Sequence, residues 1–156
     1  MKSPIRGVVI KELTSRTDKR GWLVELFRSD ELSAINKPVM AYLSSTKPGI
    51  SRGPHEHKKQ SDLFCFLGFS PFRIYLWDNR KKSPSFNRKF SFVCAKNRPT
   101  LVIVPPGVVH AYKNIGKTKG LVFNAPNRLY KGRNRAQVCD EIRHEDNPGS
   151  PFKLFD

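Results

Sequence analysis

From residue 40 onward the chain is a succession of short runs, at residues 40–45, 63–67, 72–77, 89–93, 101–104 and 121–124, each rich in aromatic and β-branched residues and separated by Pro, Gly and Asn. Runs of this length match β-strands, and many of them at this spacing point to an all-β antiparallel sandwich or barrel of jelly-roll type. In the clearest run, Phe72, Ile74 and Leu76 alternate with Arg73, Tyr75 and Trp77. The first set is expected in the core, and Tyr75 and Trp77 on the other sheet surface or in a cavity. Residues 5–13 and 22–28 read as two earlier strands joined through a turn at Asp18–Gly21. The second puts Leu23, Glu25 and Phe27 on one face, so Glu25 is expected among apolar neighbours, where a carboxylate needs a partner. Residues 29–36 begin with an N-cap candidate and carry apolar residues at 32 and 35, which predicts a short helix. Residues 140–148 read as a second short helix or a loop, and 150–156 as a packed tail.

A chain of 156 residues fits one domain, residues 1–156, with a real core. It holds no apolar run near the ~18 residues that cross a bilayer, and residues 1–6 lack the apolar stretch of a secretion signal, so a cytoplasmic protein without membrane contact is expected. Cys65, Cys94 and Cys139 are odd in number and have no CxxC spacing, and buried reduced thiols are expected. The net charge of +16 implies an anionic partner. No nucleic-acid recognition motif accompanies the basic residues, and a phosphorylated small molecule fits them equally well.

The chain has four histidines. His55 and His57 lie two apart behind Arg52 and Gly53, and His110 follows a Pro105-Pro106-Gly107 turn. On a strand the i, i+2 spacing turns both imidazoles to one face. Three converging imidazoles can hold a metal ion. The same rings can instead do acid–base work, one removing a proton from carbon next to a ketone while donors stabilise the enolate. Arg52 is suited to gripping a diphosphate through paired hydrogen bonds.

Pro105-x-Gly107-x-x-His110-x-x-x-Asn114 resembles the second motif of the cupins, and His55-x-His57 the first; a metal-binding cupin adds a glutamate after the pair, where this chain has Gln60 and Asp62. Four segments in order resemble the dTDP-4-dehydrorhamnose 3,5-epimerase family of cupins: Asp18-x-Arg20-Gly21-x-x-x-Glu25, Arg52-Gly53-x-His55, Asp78-x-Arg80-x-x-Ser83-Pro84-Ser85-Phe86 and Ile103–Tyr112. The resemblance implies a jelly-roll homodimer, without metal or cofactor, acting on a nucleoside-diphosphate 4-keto-6-deoxy sugar, dTDP-linked in the family. It implies His55 as the base, His110 as an enolate stabiliser and Tyr130, with a one-residue shift, as the acid that returns a proton. Arg20, Glu25 and Arg52 correspond to nucleotide and diphosphate contacts. The chain departs from the pattern in three ways. Ser61-Asp62-Leu63 stands where the family has a lysine; the C-terminal aspartate that orients the base has no counterpart, which leaves Asp146 or another acid; and His57 stands where glutamine is usual. His57 resembles instead the sugar-nucleotide 3,4-ketoisomerases, in which both histidines of the pair move protons.

Overall fold

A computed structural model of the chain describes residues 1–155. Its strands are β1 (Val9–Glu12), β2 (Ser15–Asp18), β3 (Gly21–Val24), β4 (Tyr42–Thr46), β5 (Ser51–Glu56) and β6 (Asp62–Phe66). They continue with β7 (Phe72–Asp78), β8 (Lys89–Cys94), β9 (Thr100–Val104), β10 (Val108–Asn114), β11 (Gly120–Asn124) and β12 (Ile142–Arg143). Two five-stranded antiparallel sheets, in the orders β1-β9-β6-β11-β4 and β12-β5-β10-β7-β8, form a jelly roll, and β2 and β3 form a separate hairpin.

The core lies between the sheets. Phe64, Phe66, Val102, Val104 and Val122 from the first sheet meet Phe72, Ile74, Leu76, Phe92, Val108 and Tyr112 from the second. Burying each such side chain contributes about 1.5–3 kcal/mol, which sets the register of every central strand. The outer faces are covered too. Leu63, Cys65, Leu101 and Ile103 pack under Val24, Leu26, Phe27 and Leu32, while Tyr75, Trp77, Val109 and Ala111 pack under Phe152, Leu154 and Phe155. The expected packed tail is therefore present, and Tyr75 and Trp77 lie on the outer sheet surface beneath it.

Three local expectations are corrected. The strand expected over 22–28 ends at Val24, because the next residues leave the hairpin to cover the first sheet, and Glu25 is 63% exposed beside Arg28 instead of sitting among apolar side chains. The short helix over 29–36 shrinks to a 3-10 turn at Ala34–Asn36, in which no residue is buried. A second 3-10 turn falls at Arg133–Arg135, and residues 142–143, expected in a helix or loop, add a strand to the edge of β5.

Asp78, 1% exposed, ties these parts together. Its carboxylate accepts hydrogen bonds from Arg80 Nε at 2.7 Å, Arg80 Nη2 at 2.9 Å, and the hydroxyls of Ser83 and Ser85 at 2.6 Å each. Arg80 also donates to the Arg6 carbonyl, and the Ser85 hydroxyl accepts from the Arg6 amide. The Asp78-to-Phe86 motif is thus a structural knot. It pins the N-terminal segment and packs the Arg80 stem on Gly107, in the turn that leads to His110.

Candidate active site

His55 on β5 and His110 on β10 are directly opposed in the antiparallel register, with ring centroids 4.4 Å apart. His57 follows one residue after β5 ends, its ring 5.8 Å from His55 and 6.0 Å from His110. All three rings gather on the inner face of the second sheet, where Phe64 from the first sheet packs 5.4 Å from His110. The gathering expected from the i, i+2 spacing and the distant third histidine is present. Close approach of β5 to β10 requires glycine at position 53: its φ is +79°, and a Cβ there would meet the His110 carbonyl oxygen at 2.5 Å.

The ring nitrogens are sorted by backbone carbonyls. His57 Nδ1 makes a very short hydrogen bond with the Asp140 carbonyl, and His110 Nδ1 lies 3.1 Å from the Val108 carbonyl. A carbonyl only accepts, so each Nδ1 carries a proton. Both Nε2 atoms face Asp62, at 3.1 Å from His57 and 3.4 Å from His110. Gln60 Nε2 donates to Asp62 at 3.0 Å and lies 3.2 Å from His57 Nε2. Burial alone would raise the Asp62 carboxyl, but the two imidazoles reverse that and hold it well below the usual carboxylate range. For His57, burial lowers the value, but the hydrogen bond and charge of Asp62 outweigh it and raise the ring's proton affinity. His55 moves oppositely: burial first, then the His110 ring, push it well below the ordinary imidazole value, so it stands as a free base. One site thus holds a neutral imidazole beside one held toward its charged form, the separation that acid–base chemistry uses.

The C-terminal segment completes this arrangement. Its backbone docks on β5 through the His144 and Glu145 amides, which both donate to the Pro54 carbonyl. This brings Glu145 Oε1 to 3.8 Å from His55 Nδ1, so the acid beside His55 is Glu145, one residue before the expected Asp146. Asp140 accepts from the amides of Lys58, Lys59 and Gln60 at 3.0, 2.8 and 2.9 Å, fixing the turn after His57. Nothing in the sequence singles out Asp140 or Glu145. Each acts through a contact with a residue 80 or more positions away, and the only local signal is a cluster of acids in a basic chain.

The other site residues named from the sequence lie apart from the three rings. Tyr130 is half exposed, with its amide 3.1 Å from Met40 sulfur and Lys131 over its ring. It lines a cleft of about 730 Å³ together with Lys58, Lys59, Gln60, Arg128 and Asp140. Gln60 and Asp140 also touch His57, so cleft and histidine cluster share a wall. Arg52 reaches from β5 to β4, donating to Thr46 Oγ1 and the Ser45 carbonyl at 3.2 Å each. Arg20 is on the β2–β3 hairpin, 83% exposed and paired with Asp18, and Glu25 follows the same hairpin. Two polar groups not foreseen in the sequence sit beside Asp62: Asn124, whose Nδ2 lies 3.4 Å from Asp62 Oδ1, and Tyr42, whose hydroxyl accepts from the same Nδ2 at 2.6 Å.

Comparison with known proteins gives this geometry its context. Residues 2–144 match the family model described as dTDP-4-dehydrorhamnose 3,5-epimerase. The chain is 36% identical over 128 residues to the "Probable low-salt glycan biosynthesis epimerase Agl13" of Haloferax volcanii, covering 81% of each chain. It is 32% identical over 114 residues to the "Spore coat polysaccharide biosynthesis protein SpsL" of Bacillus subtilis, covering 73% of this chain and 74% of the relative. Among solved structures, a dTDP sugar isomerase from Desulfovibrio desulfuricans superimposes with TM-score 0.81 at 22% identity, over 96% of this chain and 92% of that one. The Legionella pneumophila 3,5-epimerase in complex with dTDP-4-keto-L-rhamnose superimposes with TM-score 0.76 at 19% identity, over 92% of this chain and 75% of that one. The opposed His55 and His110 thus belong to a chain that is a member of the dTDP-4-dehydrorhamnose 3,5-epimerase family of carbohydrate isomerases.

Proposed function

We propose that the protein inverts one or both carbons flanking the 4-keto group of a dTDP-linked 4-keto-6-deoxy sugar by removing and returning a proton. The observation that carries this reading is the His55 imidazole, packed against His110 with its buried Nδ1 3.8 Å from the Glu145 carboxylate. His55 takes the proton α to the ketone, and the C–H electron pair moves into the enolate. Donors facing the developing oxyanion, His110 first among them, lower the barrier. Tyr130 delivers a proton to the opposite face of the carbon, and solvent exchange resets Tyr130 and His55. Arg52 and the lysines of the adjoining cleft hold the diphosphate; Arg20 and Glu25 contact the nucleotide. The working unit is a homodimer, and we take the cytoplasm as its compartment.

Incubating the protein in D2O with dTDP-4-keto-6-deoxyglucose should introduce deuterium at C3 or C5, read by mass spectrometry. His55→Ala should lower that uptake by about 10²–10⁴-fold, the usual contribution of a positioned base. Uptake equal in the two proteins would remove the reading. A second reading follows from His57 beside His55: two bases on one face could shuttle the carbonyl between C4 and C3. A 3-keto product in the NMR spectrum would identify that reaction, and a 4-keto product with inverted carbon the first.

A further inference from the structure

We infer that the end of the jelly roll opposite the histidine cluster is a docking face for an anionic membrane surface. Four loops gather there, residues 47–50, 67–71, 95–99 and 115–119, at the strand ends that the register places away from Asp62, Asp78 and His55. They carry Lys47, Lys96, Arg98, Lys117 and Lys119 and no acidic residue; from Asp62 to Asp140 the only acid between is Asp78, at the other end. Arg98 is matched by Glu12 at 2.7 Å, and Asp18 of the hairpin is already held by Arg20 at 2.6 Å. The four lysines are exposed. So are three large apolar side chains among them, Ile50, Phe69 and Ile115, each on a different loop.

The loops form a stiff platform. Asn114, fully buried, donates through Nδ2 to the Thr46 and Thr118 carbonyls at 2.9 and 2.8 Å, and its Oδ1 accepts from the Ser70 hydroxyl at 2.7 Å and the Gly116 amide at 3.0 Å. The Asn97 amide donates to the Gly68 carbonyl at 2.8 Å, and the Ile115 amide to the Pro71 carbonyl at 3.0 Å. Side chains presented on such loops lose little freedom on docking. Charge and side-chain type together select the partner. Each lysine close to an anionic bilayer strengthens binding about fivefold, and apolar side chains beside it enter the boundary between headgroups and acyl chains. Lysine stems lie along that boundary and keep their ammonium groups at the level of the phosphates. Isoleucine offers a nucleic-acid base no ring to stack on, and turns offer a peptide no strand edge to extend.

No helix among the described residues is long and apolar enough to cross a membrane, and a peripheral contact needs none, so this inference departs from the expectation of no membrane contact without requiring a spanning segment. Docked by this end, the molecule keeps its histidine cluster on the side facing water. The inference stands independently of the proposed reaction. The test is flotation of the full-length protein with phosphatidylcholine vesicles with and without phosphatidylglycerol. Binding is expected only to the vesicles containing phosphatidylglycerol, and should weaken as NaCl rises. Lys117→Gln with Lys119→Gln should lower the affinity by about 25-fold. Lys81→Gln with Lys82→Gln, which gives the same net charge but alters the loop after Asp78 at the histidine end, should leave it within about twofold. Ile50→Ser with Ile115→Ser keeps the charge and should weaken binding by about tenfold, with thermal melts showing that each variant is folded. No binding to the anionic vesicles, an equal loss in the two lysine pairs, or no loss in the isoleucine pair would overturn the face. So would a shift of the isoleucine variant toward monomer in sedimentation, which would make this end a contact between copies. RNA binding tighter than vesicle binding and indifferent to the isoleucines would give the lysines to nucleic acid and remove the inference.

Discussion

Gly53 carries more of the site than its lack of a side chain suggests. Alanine there must adopt a φ near +79° and displace the His110 carbonyl, which its Cβ would meet at 2.5 Å. Gly53→Ala is therefore expected to destabilise the fold by about 1–3 kcal/mol, measured by thermal melting, and to depress deuterium uptake well beyond what that loss explains, since it separates the paired histidines. The thiols offer a second residue-scale prediction. Burial pushes Cys65 and Cys94 up to about 12; Cys139 is also raised, by partial burial and then by Glu141 and Asp140, but it alone is accessible, at the rim of the cleft. A thiol reagent at pH 8 should label Cys139 promptly and the other two only on unfolding; labelling of all three in the native protein would contradict this packing. At this scale the histidines were legible because residue type and a Pro-Pro-Gly turn mark them. Glu145 and Asp140 were not, because their roles come from a chain segment that folds back onto β5.

At the scale of elements, the knot around Asp78 makes an acid-stability prediction. Burial opposes its charge, but hydrogen bonds from Arg80, Ser83 and Ser85 prevail and hold the carboxyl well below the usual range. A folded value below the unfolded one gives stabilisation that is complete above about pH 5 and is lost as pH falls toward the folded value. Asp78→Asn should therefore be less stable at pH 7 and should lose less further stability between pH 5 and pH 2 than the parent, as followed by urea unfolding at each pH. A parallel loss in both proteins would mean that Asp78 does not act this way. The central strands were legible because both faces of each sheet are covered, so they read as near-continuous apolar runs. The hairpin's early end at Val24 and the edge strand β12 were not, since tertiary docking and not local pattern decides them. The Asp78 motif was legible as a motif but not as a structural one, because only the fold shows its hydrogen bonds closing on Arg6 and on the turn before His110.

For the whole molecule, the apolar surface left uncovered is the feature that a single chain does not explain. On the β2–β3 hairpin Trp22 is 51% and Leu23 64% exposed, and on β4, the open edge of the first sheet, Tyr42 and Leu43 are exposed as well. An unpaired edge strand and bare large side chains invite association, and a stable interface needs about 800 Å² from each partner, more than two side chains supply. A homodimer that covers the hairpin would remove this exposure, which is the physical support for the assembly implied by the family resemblance. The same hairpin carries Arg20, 83% exposed and joined only to its neighbour's carboxylate in the contacts described, so association is also what would give this arginine a ligand to meet. Replacing Trp22 and Leu23 by serine should therefore shift the mass in sedimentation equilibrium from dimer toward monomer. It should leave the melting temperature of the sandwich little changed at high protein concentration, because β2 and β3 contribute no residue to the core between the sheets. Weakened nucleotide binding should accompany the shift, and a double variant that stays dimeric with unaltered nucleotide affinity would show that the hairpin is neither the interface nor part of the binding surface.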